Sequence, residues 1–275
     1  MPKLRLLYDN AADRCTVTAS TTSGTLAADN LLTDIKSEVW RSTGTTAALT
    51  LEFDDAELCS MLALPFCNLT STATFRLRGY TNVDDVDPIV DTGEVLASAY
   101  QPFGLWEWGA ALGVNAFSYS GGVYGRVYFT ASVIRKLVLD IVDTDNPSGY
   151  IEAARVVTGS YWSPQFNASY GVELGLNDQS KHERSDASDL RTTRGGTWRS
   201  LTFQLDRLEP ADRQRMYEIL RGNGLSRPFF ISLFPEDGDP SVEQSYQLYG
   251  KLARAGVLGL PTFAVYNTAL SIEEI

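Results

Sequence analysis

Side chains with the chemistry for catalysis or metal binding are few in this chain and widely scattered. His182, in the segment SKHERSD, is the only histidine among the 275 residues. A Ser-His-Asp triad needs a histidine that a rigid scaffold holds in place, whereas the polar neighbours of His182 predict a solvated loop. A histidine-rich zinc site is excluded because the chain supplies a single imidazole.

Acidic residues cluster at three places, 54–57, 84–87 and 236–239. Carboxylates bind calcium, but none of these clusters has the spacing of an EF-hand loop, so we interpret them as solvated turns. A glycoside hydrolase needs two carboxylates held across a cleft, and no particular pair is indicated. Glycine-rich phosphate-binding motifs do not occur in the sequence. We therefore expect no enzymatic activity, no cofactor and no metal site.

The aromatic residues form a more informative cluster, centred on QPFGLWEWGAALG (101–113). Two of its tryptophans are two residues apart, so on a strand both would face the same side. The surrounding segment, 91–125, predicts a long excursion such as a flap or hairpin. Aromatic side chains of this kind suit a core, a protein interface or a carbohydrate platform, and the sequence leaves all three open. The candidate interface residues are Tyr100, Phe103, Trp106, Trp108, Tyr119 and Tyr124.

Composition excludes several classes of partner. The chain has 34 acidic and 23 basic residues, a net charge of −11, which argues against nucleic acid and against anionic lipid. No apolar run is long enough for a membrane span, and the N-terminal segment lacks the apolar core of a secretory signal. The cysteines Cys15, Cys59 and Cys67 are odd in number and lack metal-site spacing, so we expect free thiols in a protein made in a reducing cytosol.

Residues 1–160 are predicted to form almost only β-strands. Short runs rich in β-branched, aromatic and leucine residues are bounded by turn residues. TFRLRGY (74–80) alternates, with Phe75 and Leu77 on one face and two arginines on the other, as expected of a half-buried antiparallel strand. Seven or more such strands without a long helix favour a sandwich or barrel. The runs are KLRLLYD, TAALTLEF, SMLALPF, TFRLRGY, GRVYFTAS, RKLVLDIVD and YIEAARVVTG.

The second half of the chain is predicted to combine strands with one helix. A helix is predicted at 209–221, with Pro210 near its first position and glycines after its end. Strands are predicted on both sides of it, in YGVELGL, TWRSLTFQLDRL and RPFFISLFP and in two C-terminal segments starting at 238 and 261. The polar segment 177–196 predicts a mobile loop.

One N-terminal segment resembles a known family. ADNLL (28–32), WRS (40–42) and LTLEF (49–53) resemble the entry of a galactose-binding-like, discoidin-type jelly-roll sandwich. KLVLD, NP and GYIEA within 134–157 look like its closing strands. In that family the A-x-N-L and W-R-S segments close one end of the sandwich, which implies a loop anchored by Leu32 and Trp40. The family's sugar-binding residues are not carried over, because its binding loops have no match here.

The C-terminal half is similar to a tail-tip module of long-tailed bacteriophages. The resemblance rests on WRSLTF (198–203), LEPAD (208–212), PFFIS (228–232) and LSIEEI (270–275). It implies a β-barrel-like domain with one helix that packs into rings. The expected domains are then 1–162, a β-sandwich with an aromatic insertion near 91–125, and 163–275, the tail-tip barrel.

The two resemblances together imply a structural role. The chain is expected to be a distal-tail or baseplate component of a virion, assembled in the bacterial cytoplasm, that joins the tail tube to the tip hub. Its expected partners are copies of itself in a hexameric or trimeric ring, and the tube, tape-measure and hub proteins. The alternative function is a carbohydrate-binding module that contacts host surface glycans.

Overall fold

The computed structural model describes residues 3–98, 123–236, 239–262 and 264–275. The chain is mainly β, as the sequence predicted. No helix among the described residues is long and apolar enough to cross a membrane.

The chain forms two compact units. Unit 1 comprises Met1–Pro164 and Phe229–Tyr249, and unit 2 comprises Gln165–Pro228 and Gly250–Ile275. The boundary predicted after residue 162 lies close to the division after Pro164. The predicted second domain was one continuous stretch, whereas in the structure the segment Phe229–Tyr249 lies in unit 1.

Unit 1 holds strands β1 to β9, strand β14, helix α2 and the first half of β15. Its main sheet has the order β3–β8–β4–β7–β5–β6, and β2 and β9 also pair with β4. The bounds are β1 Arg5–Leu7, β2 Cys15–Ala19, β3 Trp40–Arg41, β4 Thr46–Cys67, β5 Thr74–Tyr80, β6 Val90–Leu96, β7 Val123–Val142, β8 Glu152–Ala153, β9 Val157–Gly159, β14 Phe229–Ser232, α2 Pro240–Ser245 and β15 Gln247–Leu252.

Two long strands build the sandwich of unit 1. The sequence predicted four separate strands here, but two of them merge into the 22 residues of β4 and two into the 20 residues of β7. The paired strands β4 and β7 form a two-stranded ribbon, the β4–β7 ribbon, whose register shifts between Glu52 and Glu57. The residues on both sides of this shift contribute to one hydrophobic core. A Cβ on Gly125 in β7 would lie 2.8 Å from the Phe75 ring of β5, so this part of β7 packs closely against β5.

The segment between β2 and β4, predicted to close one end of the sandwich, places two anchoring side chains in the core of unit 1. Trp40 is fully buried, and its indole Nε1 donates to the Thr21 carbonyl oxygen at 3.1 Å. A 3₁₀ helix at Ala28–Leu32 supplies the second anchor. This anchor is chiefly Leu31, which is fully buried, whereas the predicted Leu32 is only partly buried against the core.

The segment Phe229–Tyr249 belongs to unit 1 because its strand β14 pairs with a strand of that unit. β14 pairs antiparallel with β1, with Arg5 opposite Ser232 and Leu7 opposite Phe230. All four β14 residues are buried. Strand pairing over more than 200 residues leaves no local signal in the sequence, so the predicted domain division missed it.

Unit 2 is a sheet covered by one helix. β17 pairs antiparallel with β13 on one side and with β16 on the other, and β10 pairs with the far side of β13. β17 also pairs antiparallel with β15, and these pairs lie near the C-terminal end of β17. The bounds are β10 Glu173–Asp178, β11 Lys181–Arg184, β12 Leu190–Thr193, β13 Thr197–Leu208, α1 Pro210–Asn223, β16 Val257–Thr262 and β17 Val265–Glu274.

Helix α1 confirms the predicted helix near 209–221. Pro210 occupies its first turn, and Gly224, with φ of +51°, ends it by donating its backbone N–H to the Leu220 carbonyl oxygen. Met216 and Ile219 are buried. The face with Arg213 and Tyr217 remains exposed.

The segment 177–196 is not the mobile loop that its polarity predicted. It folds into the hairpin β11–β12, in which Lys181 lies opposite Thr193 and Arg184 opposite Leu190. All eight strand residues are exposed. Backbone pairing therefore stabilises this hairpin without a buried face, which is why apolar periodicity gave no strand signal there.

Candidate functional site

Most of the aromatic candidates lie outside the described residues: Tyr100, Phe103, Trp106, Trp108 and Tyr119. The exception is Tyr124 in β7, which is 0% exposed. Its ring packs edge-on against Phe66 at 5.3 Å, and its hydroxyl accepts the Tyr249 backbone N–H at 3.3 Å. Tyr124 is therefore a core residue of unit 1, and its prediction as an interface residue needs correction.

The groups suited to catalysis are dispersed. Among the described residues no three His, Cys, Asp or Glu side chains converge on a possible metal site. His182 is exposed on the hairpin, with Nδ1 2.9 Å from the Thr192 hydroxyl, in agreement with its predicted solvated position. The three cysteines are free thiols. Burial raises the pKa of each to about 12, so they stay protonated and unreactive at neutral pH.

A lateral cleft of about 540 Å³ opens in unit 1 between β6 and β7. Its lining includes Val90, Asp91, Val95, Phe129 and Thr130. The Asp91 carboxylate accepts hydrogen bonds from Arg76 at 2.7 and 3.1 Å, and from the Gly93 N–H. These bonds, chiefly the one from Arg76, lower the pKa of Asp91 to about 2. The cleft therefore combines apolar and aromatic side chains with a carboxylate that stays ionised and with a hydroxyl.

An acidic loop leads into this cleft at residues 82–89. Asp85 closes a turn by accepting the Asn82 backbone N–H at 2.7 Å, and the Lys136 ammonium binds the Val83 and Asp85 carbonyl oxygens. The loop is therefore held in one shape by its own hydrogen bonds. Val86 nevertheless lies on its outside, 86% exposed.

The sheet of unit 2 has two exposed edges. Among the described residues β10 pairs only with β13, and β16 only with β17. Each edge carries apolar side chains in water: Leu176 in β10 is 74% exposed, and Val257 and Leu260 in β16 are 73% and 60% exposed. Unpaired strand edges with apolar side chains are templates for pairing with another chain.

A second cleft, of about 580 Å³, lies between α1 and β16. Arg213 and Arg221 stand at its two ends, Tyr217 lies between them on the helix, and Leu220 and Val257 supply apolar lining. Gly256 permits this close approach of helix and strand, because a Cβ there would lie 2.5 Å from Leu220. The Arg213 guanidinium lies 5.8 Å from the Tyr217 ring centroid.

Charge is divided very unequally between the two units. The residues of unit 1 include 11 Lys and Arg against 23 Asp and Glu, a formal charge of −12. Those of unit 2 include 12 basic and 11 acidic residues, a formal charge of +1. Unit 1 therefore accounts for the acidity of the chain, whereas unit 2 is close to neutral.

No family model and no curated protein matches the chain. Among solved structures, the chain is similar to the module CpGH89CBM32-5 of Clostridium perfringens in complex with GalNAc-β-1,3-galactose, at 11% identity and a TM-score of 0.38, covering 55% of this chain and 98% of that one. The family 32 carbohydrate-binding module of C. perfringens NanJ, in complex with galactose, gives 12% identity and a TM-score of 0.38, covering 58% and 99%.

A chitosan-binding module from a Paenibacillus chitosanase/glucanase gives 14% identity and a TM-score of 0.36, covering 55% of this chain and 99% of that one. Similarity at this level assigns no ligand to this chain. The tail role implied by the sequence resemblance stays a proposal.

Proposed function

We propose that the chain is a non-catalytic structural component that assembles with copies of itself through the sheet of unit 2, as part of a phage tail tip. One observation carries the assembly: among the described residues β10 pairs only with β13 and β16 only with β17, so each strand keeps one unpaired edge, and both bear exposed apolar side chains. The sequence resemblance supplies the tail context, and with it the virion localisation.

The strand directions favour a head-to-tail arrangement. Each step from β10 through β13 and β17 to β16 is antiparallel, so β10 and β16 run in opposite directions. Rotation about an axis along the strands places β16 of one copy beside β10 of the next, still antiparallel. Such a heterologous contact closes into a ring when the rotation divides the circle.

Substitutions at the two edges test the assembly. Leu176→Lys and Leu260→Lys put a charge on the strands that pair in the proposed contact, whereas Leu190→Lys makes the same change on the exposed hairpin and serves as control. Mass photometry should show discrete oligomers for the wild-type chain and for the control, and monomers for each edge variant. A wild-type monomer at every concentration, or edge variants that still assemble, would contradict the proposal.

A second candidate function is carbohydrate binding by unit 1. The lateral cleft favours it, because an aromatic side chain, Phe129, lies beside a carboxylate and hydroxyls, which together suit the apolar face and the hydroxyl groups of a sugar. A glycan array with the whole chain should give signals that Phe129→Ala removes and Leu58→Ala, an equally apolar change elsewhere on the ribbon, retains. An array without any signal would eliminate this candidate.

A further inference from the structure

The cleft between α1 and β16 has unused positive charge. Arg213 and Arg221 take part in no ion pair among the described residues, whereas Arg215 on the same helix is paired with Glu218 at 3.1 Å. The two arginines are eight residues apart, about 12 Å along a helix. Tyr217 between them is 51% exposed. This surface therefore presents two cations around an uncovered aromatic and apolar centre.

The acidic loop of unit 1 has the complementary pattern. Asp84, Val86, Asp87 and Ile89 are all exposed, and the two carboxylates take part in no ion pair among the described residues. Along this loop, whose start is closed by the Asn82–Asp85 turn, two anions and two apolar side chains alternate. Its exposed carboxylates therefore suit a surface that presents cations around an apolar centre.

We propose that the loop 84–89 of one copy docks into the α1–β16 cleft of a second copy. Asp84 and Asp87 pair with Arg213 and Arg221, while Val86 and Ile89 cover Tyr217 and the apolar lining. This contact deepens the assembly proposed above and rests on it, because it names a second surface by which copies hold one another.

Two features support this occupant over an unrelated acidic protein. Val86 is 86% exposed and Tyr217 51% exposed, so both side chains are available to a second copy among the residues that the structure describes. The loop is also held in shape by the Asn82–Asp85 turn and by Lys136. A preformed segment loses little conformational entropy on binding, which favours even a small contact.

A peptide of residues 82–90, NVDDVDPIV, labelled with a fluorophore, tests the contact directly. Fluorescence anisotropy at low salt should show binding to the whole chain, and Arg213→Glu/Arg221→Glu should weaken it by at least about tenfold. Arg184→Glu/Arg191→Glu makes the same charge change on the hairpin and should leave the affinity unchanged. A peptide in which Val86 and Ile89 are replaced by serine should also bind more weakly, because the apolar part of the contact is lost.

A charge swap tests the same contact between whole chains. Asp84→Arg/Asp87→Arg and Arg213→Glu/Arg221→Glu should each reduce association in sedimentation velocity, and the variant with all four changes should recover it. Circular dichroism confirms that each variant is folded.

The outcomes separate this inference from the ring. Intact oligomers in both charge-reversed variants, together with no peptide binding, would overturn the docking contact and leave the strand-edge contact standing. If the wild-type chain is a monomer, the ring fails and the peptide experiment still decides the docking contact. Equal peptide binding by the hairpin control and the cleft variant would also overturn the inference.

Discussion

At the scale of single residues, a buried ion pair joins two strands of unit 2. Arg199 in β13 and Glu274 in β17 are fully buried, with Nη2 2.7 Å from Oε1, and the Arg199 backbone N–H donates to Oε2 at 3.1 Å. A buried charge that loses its partner is strongly destabilising, whereas an intact pair contributes little net stability. The pair therefore fixes how β13 and β17 align more than it strengthens the unit.

Glu274→Ala should lower the free energy of unfolding by about 3–5 kcal/mol, because Arg199 is left buried without its counter-charge. Its neighbour Glu273 is exposed, so Glu273→Ala should change that free energy by less than about 0.5 kcal/mol. Urea unfolding followed by tryptophan fluorescence measures both. Equal effects of the two substitutions would show that the ion pair is not formed as described.

At the scale of elements, the close packing of β7 against β5 in unit 1 depends on a glycine. Gly125 lets β7 approach the Phe75 ring of β5, where an added Cβ would lie at 2.8 Å. Adding volume to a core this tightly packed typically lowers the free energy of unfolding by about 1–3 kcal/mol.

Gly125→Ala should therefore destabilise unit 1 by about 1–3 kcal/mol. Gly44→Ala is the matched control, since a Cβ at Gly44 meets no atom within 4 Å. Thermal unfolding followed by circular dichroism compares the two. A midpoint for Gly125→Ala at or above that of the control would contradict the close packing of the layers.

At the scale of the whole molecule, unit 1 is completed by a segment that the sequence places inside unit 2. A fragment of residues 1–164 lacks β14, the partner of β1, and lacks Phe230, whose ring centroid lies 6.3 Å from that of Tyr124. That fragment exposes an unpaired strand edge and an incomplete apolar core.

The fragment 1–164 should unfold at a lower urea concentration than the same fragment with residues 229–249 joined to its end by a flexible linker. The added segment restores β14 and the aromatic contact, and the linker length can be varied as a control for the connection. Equal unfolding midpoints for the two proteins would show that residues 1–164 form a complete domain, as the sequence predicted.

The sequence by itself determined what depends on near neighbours in the chain. It gave the mainly β class, strands such as TFRLRGY, the helix with its proline start and glycine end, the free cysteines and the burial of Trp40, because periodicity, capping and residue polarity act over a few positions. The buried Arg199–Glu274 pair also left a signal, since both residues fall in the apolar phase of their strands.

Only the tertiary structure decided what depends on distant parts of the chain. The return of β14 to β1, the merging of four predicted strands into the β4–β7 ribbon, and the burial of Tyr124 all arise from pairing and packing between remote segments. The edges of β10 and β16, and the cleft whose Arg213 and Arg221 form no ion pair with a described residue, likewise depend on what lies beside each residue in space. Local sequence patterns do not show these neighbours, because which remote segments meet depends on the fold of the whole chain.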